Sequence, residues 1–459
     1  MRARAAISLA LIAAAGCSYA SPNSAASESA RTLSAVPAAH GPARPGPFTS
    51  GKISHIVIIV QENRSPDDLF AGLKGADTQS YGLDSGGKRI ELAPIALTAP
   101  YDLDHEHRAY ALESDNGAMN GFNLEHSSDC KDPKSCPKPD VAAYGYVPRK
   151  EVEPYFEMAS QYAFADKMFA TNQGPSFPAH QYLISGTSTV SASSTVRVSE
   201  NPYTPKQTFT GGCDSPVGSL AINIDTNGQE LQETYPCYDR ETLMDLLAAK
   251  GLSWRYYEWK TGAGLWNAPD AIKHLQEGSQ FSTEVVAPPS KVIADISNND
   301  LASVVWVTPT AKASDHADIT DGSGPSWVAS VVNAVGESSY WNSTAIFVTW
   351  DDWDGWYDHV APTVYNSYEL GFRVPAIVIS PYTPKGYVSH VQHEFASILK
   401  FAESTFGLPS LGTTDVRADN FSDCFNFKRA PRSFTPIQAP LGRDYFLKQG
   451  PGTQPPDND

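Results

Sequence analysis

Ile53-Ser54-His55-Ile56-Val57-Ile58-Ile59-Val60, followed at once by Gln61-Glu62-Asn63-Arg64-Ser65, is the stretch on which the fold turns. A near-continuous β-branched run suits a central strand covered on both faces. Three later runs have the same character: Ser303–Val307, Thr344–Trp350 and Val374–Ser380. Helix-like segments separate them. Arg240–Lys250 stops at Gly251, a residue suited to the left-handed position past a helix end. Ser326–Val335 and Phe395–Ala402 read as two more. Strand and helix alternation predicts an α/β sandwich with a largely parallel sheet. Such sheets gather ligands beyond the carboxyl ends of their strands.

The composition of the 459 residues fits this reading. Hydrophobic residues make up 41% and aromatics 11%, enough for a well-packed core. Gly and Pro number 33 and 35, which implies long loops around it. Charged residues reach only 19%, too few for a coiled coil with so much Pro. The abundant Trp, Tyr and Phe exclude chain-wide disorder. A net charge of −17 excludes nucleic acid as a partner held by phosphate neutralisation.

The amino-terminal 1–20 combine Met1-Arg2-Ala3-Arg4 with a short apolar run to Gly16, the pattern of an export signal. Two processing readings stay open: a lipobox at Ala14-Ala15-Gly16-Cys17, and cleavage around Ser18-Tyr19-Ala20. Residues 21–50, rich in Ala, Ser, Pro and Gly, read as a flexible linker. The expected organisation continues with one catalytic domain over 51–445 and a disordered tail over 446–459. No later segment is apolar enough for a transmembrane helix. The expected location is a bacterial envelope: periplasmic, secreted or lipid-anchored. Cys130 with Cys136, and Cys213 with Cys237, have spacings suited to local disulfides in an oxidising compartment, which leaves Cys424 over.

Three clusters carry candidate chemistry. Glu62 and Asn63, just past the first strand, offer a carboxylate and an amide. Asp351-Asp352, just past Trp350, are adjacent acids that repel unless a cation compensates. Gly174-Pro175-Ser176-Phe177-Pro178-Ala179-His180 places Ser176 at a helix start, where the dipole favours an anion and the hydroxyl is either a nucleophile or a cap. The absence of G-x-S-x-G argues against an α/β-hydrolase elbow. His105, His316 and His359, each directly after an acid, add candidate proton donors.

In this order, these stretches resemble the bacterial phosphoesterase family of phosphatidylcholine-preferring phospholipases C and acid phosphatase A type enzymes. Asn116-Gly117 through Gly121-Phe122, Arg373-Val374-Pro375 and Ser397-Ile398-Leu399-Lys400-Phe401 belong to the same likeness, which runs from about Ile53 to about Phe427. The resemblance implies an alkaline phosphatase-like three-layer α/β sandwich with a mostly parallel sheet and long loop insertions. It implies Ser176 as nucleophile, and Glu62, Asp351, Asp352 and the Ser176 oxygen as metal ligands. Asn63, His105 and His316 would meet the phosphoryl oxygens or move protons, with His359 further out. Ser65-Pro66-Asp67 and Asn120 depart from the family pattern, and His180 stands where many phospholipases carry Arg. That last change makes His180 a candidate determinant of substrate choice.

The expected reaction is hydrolysis of a phosphate ester in two displacements at Ser176. The oxygen-rich ligand set favours Mg²⁺ or Ca²⁺, and also admits Zn²⁺ or Mn²⁺. His180 and the short carboxyl-terminal end lean the expectation toward an acid-phosphatase-type phosphomonoesterase. The alternative substrate is a phospholipid head group of the phosphatidylcholine kind. Two other classes are a surface binding protein that keeps the fold without chemistry, and a sulfatase-like hydrolase. Ser176-Phe177-Pro178-Ala179-His180 lacks the Arg that the sulfatase motif needs.

Overall fold

The structure is a computed structural model that describes residues 48–125, 127, 128, 130, 136–205 and 209–453. The expected export signal, Cys17 and the linker up to residue 47 lie outside the described residues.

Eight strands form the central sheet: β1 (His55–Gln61), β2 (Ala163–Ala165), β3 (Trp254–Tyr257), β4 (Val285–Val286), β5 (Val304–Val307), β6 (Thr344–Trp350), β7 (Ala376–Ile379) and β8 (Tyr387–Ser389). Their order is β4-β3-β5-β1-β6-β7-β2-β8. All run parallel except β7, which pairs antiparallel with both β6 and β2. The predicted first strand therefore lies at the centre, in register with β5 and β6: Ile58 faces Trp306 on one side and Phe347 on the other.

The longer helices are α1 (His107–Ser114), α2 (Glu153–Gln161), α3 (Ser176–Ser185), α4 (Leu243–Ala249), α5 (Lys291–Ser297), α6 (Gly324–Gly336) and α7 (Phe395–Phe406). Strand β6 shows how they form two layers. Phe347 packs on Phe401 of α7, and Trp350 packs on Tyr155 of α2, each with ring centroids 5.0 Å apart. Three positions apart on a strand, these side chains point to opposite faces. Helix α3 joins α7 and α4 in one layer, and α6 joins α2 and α5 in the other. All seven residues of β6 are buried, which is why its sequence does not alternate.

The helix ends follow local chemistry. Thr242 and Asp245 form a capping box at the start of α4, and Gly251 takes φ +73° just past its end. Long insertions surround the frame. One lies between β1 and β2, and another, between α3 and α4, contains a three-stranded antiparallel sheet of Arg197–Val198, Ala221–Ile224 and Glu230–Thr234. Disulfides join Cys130 to Cys136 and Cys213 to Cys237, and Cys424 is a buried free thiol, as the spacings predict.

Packing contacts extend past residues 51 and 445. Phe48 packs on Phe401 and Phe427. At the other end Phe446 is buried against Trp327, and the Gly452 amide donates to Trp259 O. A polar, Pro-rich tail composition conceals these single anchors. No helix among the described residues is long and apolar enough to cross a membrane.

Candidate active site

Two neighbouring strand ends build the site. Strands β1 and β6 pair through Gln61 and Trp350, so the next residues, Glu62-Asn63 and Asp351-Asp352, emerge side by side. Backbone bonds hold that alignment: Asp351 N donates to Gln61 O at 3.1 Å, and Arg64 N to Asp352 O at 3.0 Å. Ser176 is the first residue of α3, with Pro175 at the cap position and Pro178 in the first turn. Its side chain does not cap the helix. Instead Ser176 Oγ donates to Glu62 Oε2 at 3.0 Å and lies 3.4 Å from Asp352 Oδ2. The loop before it is tight, since a Cβ on Gly174 would meet Ser199 O and Tyr368 Oη at 2.6 Å each.

One turn along α3, His180 Nε2 sits 3.1 Å from Glu62 Oε1 and 3.6 Å from Asp351 Oδ2. Its Nδ1 faces Tyr256 Oη at 3.4 Å. Ser176, Glu62, His180, Asp351 and Asp352 are all fully buried. Among the described residues no lysine or arginine pairs with Glu62 or Asp351, and Asp351 Oδ2 has no hydrogen-bond partner. Burial, and then the Asp351 charge, push the Glu62 carboxyl well above the usual range. Burial raises Asp351 in the same direction and pushes His180 down to about 3. Carboxylates packed this way repel one another unless a cation joins them. The orphaned Asp351 oxygen and this oxygen-rich set fit a hard divalent cation held by Glu62, Asp351, Asp352 and Ser176 Oγ. The His180 nitrogen widens the choice toward Zn²⁺ or Mn²⁺.

Asn63, in the left-handed region at φ +60°, turns its amide toward His105. Nδ2 lies 3.3 Å from His105 Nε2, while His105 Nδ1 is 2.9 Å from Leu103 O. The carbonyl keeps a proton on Nδ1, so Nε2 accepts from Asn63. His316 is held in the same way, with Nδ1 2.7 Å from Ala317 O, and the two rings are 6.1 Å apart.

Asp354 lies on this side too, and is not among the residues that the sequence singles out. Its ligand atom and those of His105 and His316 lie within 4.8 Å of one another. Burial, and then Asp102, raise its carboxyl well above the usual range. The available signal was its spacing, two residues past Asp352, whose Oδ1 accepts from the Asp354 amide at 2.9 Å. Asp315 has a scaffolding role instead: it accepts from Tyr155 Oη at 2.6 Å and Trp350 Nε1 at 3.2 Å.

His359 is not brought to Ser176. Its ring bonds Asp67 at 2.6 Å and Asp77 at 3.1 Å, beside the Arg373–Asp358 pair. Glu62, Ser176, Asp351, Asp352 and His180 thus form one cluster, joined through Asn63 to His105 and His316.

A family model described as the phosphoesterase family matches residues 53–409. Non-hemolytic phospholipase C of Pseudomonas aeruginosa is 24% identical over 434 residues, covering 82% of this chain and 57% of that protein. Phospholipase C B of Mycobacterium tuberculosis is 24% identical over 455 residues, covering 85% and 81%. Non-specific phospholipase C1 of Arabidopsis thaliana is 25% identical over 444 residues, covering 85% and 74%. The chain therefore spans little more than half the length of the Pseudomonas relative. Among solved structures, a protein in the alkaline phosphatase superfamily from Vibrio parahaemolyticus aligns over 80% of this chain and 70% of its own, at 12% identity and TM-score 0.35.

Proposed function

The chain belongs to the phosphoesterase family, and from that premise we propose that it is a metal-dependent hydrolase of phosphate esters acting through a phosphoserine at Ser176. The observation that carries this reading is the Ser176 hydroxyl, at a helix start, bonded to carboxylates that follow two adjacent parallel strands.

Ser176 Oγ attacks phosphorus in line with the ester oxygen. In the resting state its proton is held toward Glu62 Oε2. Glu62, Asp351, Asp352 and Ser176 Oγ would hold a divalent cation, whose positive charge would lower the hydroxyl pKa. The Asn63 amide and the α3 dipole stabilise negative charge on the equatorial oxygens. The Ser176 proton is lost to solvent as the alkoxide forms, and one of His105 and His316, in its imidazolium form, gives a proton to the departing alkoxide. Water then attacks the phosphoserine, returns a proton to that histidine, and Ser176 Oγ leaves as the alkoxide. His180 positions Glu62 in this scheme.

That assignment bears on the substrate. The phosphomonoesterase expectation leaned on His180 as a substrate contact, and His180 is committed to Glu62 and Tyr256. The relatives described above are named as phospholipases C. We therefore extend the proposal to phosphodiesters with a phosphatidylcholine-like head group, with phosphomonoesters as the second reading. The two disulfides support export, to the periplasm, the medium or a lipid-anchored position. The complete cluster argues against a purely binding protein.

Turnover of p-nitrophenyl phosphorylcholine against p-nitrophenyl phosphate tests the substrate class, and the diester should be favoured. Ser176→Ala should abolish both activities with an unchanged circular dichroism spectrum. EDTA should abolish them reversibly, with divalent cations restoring them. Full activity in the chelated enzyme would refute metal dependence.

A further inference from the structure

A second cluster lies at the edge of the sheet beyond β6, β7 and β2, where the chain after α7 returns to β8. His393, just before α7, is buried, with Phe421 stacked on its ring at 4.0 Å between centroids. His393 Nδ1 is 2.9 Å from Asp419 Oδ1, and Nε2 is 3.0 Å from Ser389 Oγ and 3.8 Å from Asp423 Oδ1. Cys424 is buried beside them, outside any disulfide. One ligand atom each from His393, Asp423 and Cys424 lie within 4.8 Å of one another. Among the described residues no lysine or arginine pairs with Asp419 or Asp423, and Asp423 Oδ1 has no hydrogen-bond partner.

We propose that Cys424 Sγ, His393 Nε2 and Asp423 Oδ1 bind a thiophilic divalent cation of the Zn²⁺ class, which ties the 419–424 segment to the sheet edge. With the cation bound, the Nδ1 proton would face Asp419 Oδ1, 2.9 Å away, as carboxylates orient ligating histidines, and Nε2 would exchange its present contact with Ser389 Oγ, which donates to Asp423 Oδ2, for the cation. A sulfur, nitrogen and oxygen set selects Zn²⁺-like ions over Mg²⁺ or Ca²⁺. Three protein ligands leave a fourth position for Ser389 Oγ or water. Tetrahedral bonds of about 2.0–2.3 Å draw the ligand atoms inward by roughly an ångström. Binding releases the Cys424 thiol proton to solvent, and the thiolate donates both electrons of the new bond. This ion is separate from the one at Ser176, whose cluster contains no sulfur.

Co²⁺ titrated into the EDTA-treated full chain provides the test. A near-ultraviolet thiolate-to-cobalt charge-transfer band is expected, displaced by Zn²⁺ and absent in Cys424→Ser. Loss in that variant assigns the band to Cys424 rather than Cys17. Asp419→Asn leaves all three ligands in place and should weaken Zn²⁺ binding about 10–100-fold, with ester turnover unchanged. No band in the folded wild type overturns the proposal, as does a band that survives in folded Cys424→Ser. Should Cys424→Ser not fold, the Asp419→Asn affinity decides, and an unchanged affinity overturns it.

Discussion

His180 stands four positions after Ser176, where many phospholipases carry Arg, and that replacement makes it a candidate for substrate choice from sequence. On a helix that spacing places both side chains on one face, and in the fold that face meets Glu62 and Asp351. His180→Gln should therefore raise the metal concentration for half-maximal activity by about 10–100-fold, with the ratio of diester to monoester kcat/KM unchanged. A shifted ratio at unchanged metal requirement would restore the substrate-contact reading. His359 gives a prediction of stability against pH. Burial alone lowers its pKa, but Asp67 and Asp358 outweigh burial and hold it above 6.5. The raised value stabilises the fold below the unfolded pKa, and this contribution is lost as pH rises through the folded one. His359→Gln should thus destabilise by about 2 kcal/mol near pH 6, with the gap in melting temperature closing toward pH 9.

Among the elements, β6 was legible to the residue: Thr344–Trp350 is both the predicted run and the observed strand. Seven consecutive buried positions leave no polar face, so hydrophobicity alone marks its ends. Helix α7 runs four residues past the predicted Ala402, to Phe406, where Gly407 at φ +63° ends it. The polar residues of that last turn weaken the apolar signal without breaking the helix. The antiparallel course of β7 left no mark in its composition, because strand direction depends on the connection that precedes it. The loop into α3 is the most constrained connection near the site. Gly174→Ala would drive a methyl into Ser199 O and Tyr368 Oη. Ester turnover should fall about 100-fold through displacement of Ser176, and thermal unfolding should report a loss of about 1–3 kcal/mol.

At the scale of the whole molecule, the insertions are braced covalently. Cys213 and Cys237 are 24 residues apart, and a closed loop of that size stabilises by about 3 kcal/mol. Reduction should lower the melting temperature of wild type most, and that of Cys130→Ser/Cys136→Ser more than that of Cys213→Ser/Cys237→Ser, because the shorter Cys130–Cys136 loop stabilises less. The same scale separates what sequence determines from what it leaves open. Buried β-branched runs, capped helices, and acids placed directly after strands are written in contacts a few residues apart, so the α/β class and most of the residues that the fold gathers around Ser176 were legible. Which strand ends lie together is a different matter. Glu62 and Ser176 meet across 114 positions, and Ser176 reaches Asp352 across 176. Those meetings depend on β1 lying beside β6 and on the start of α3 reaching their ends. Only tertiary structure decides them, because sheet order and side-chain partners follow from burying both faces of the sheet at once, a condition no local segment contains.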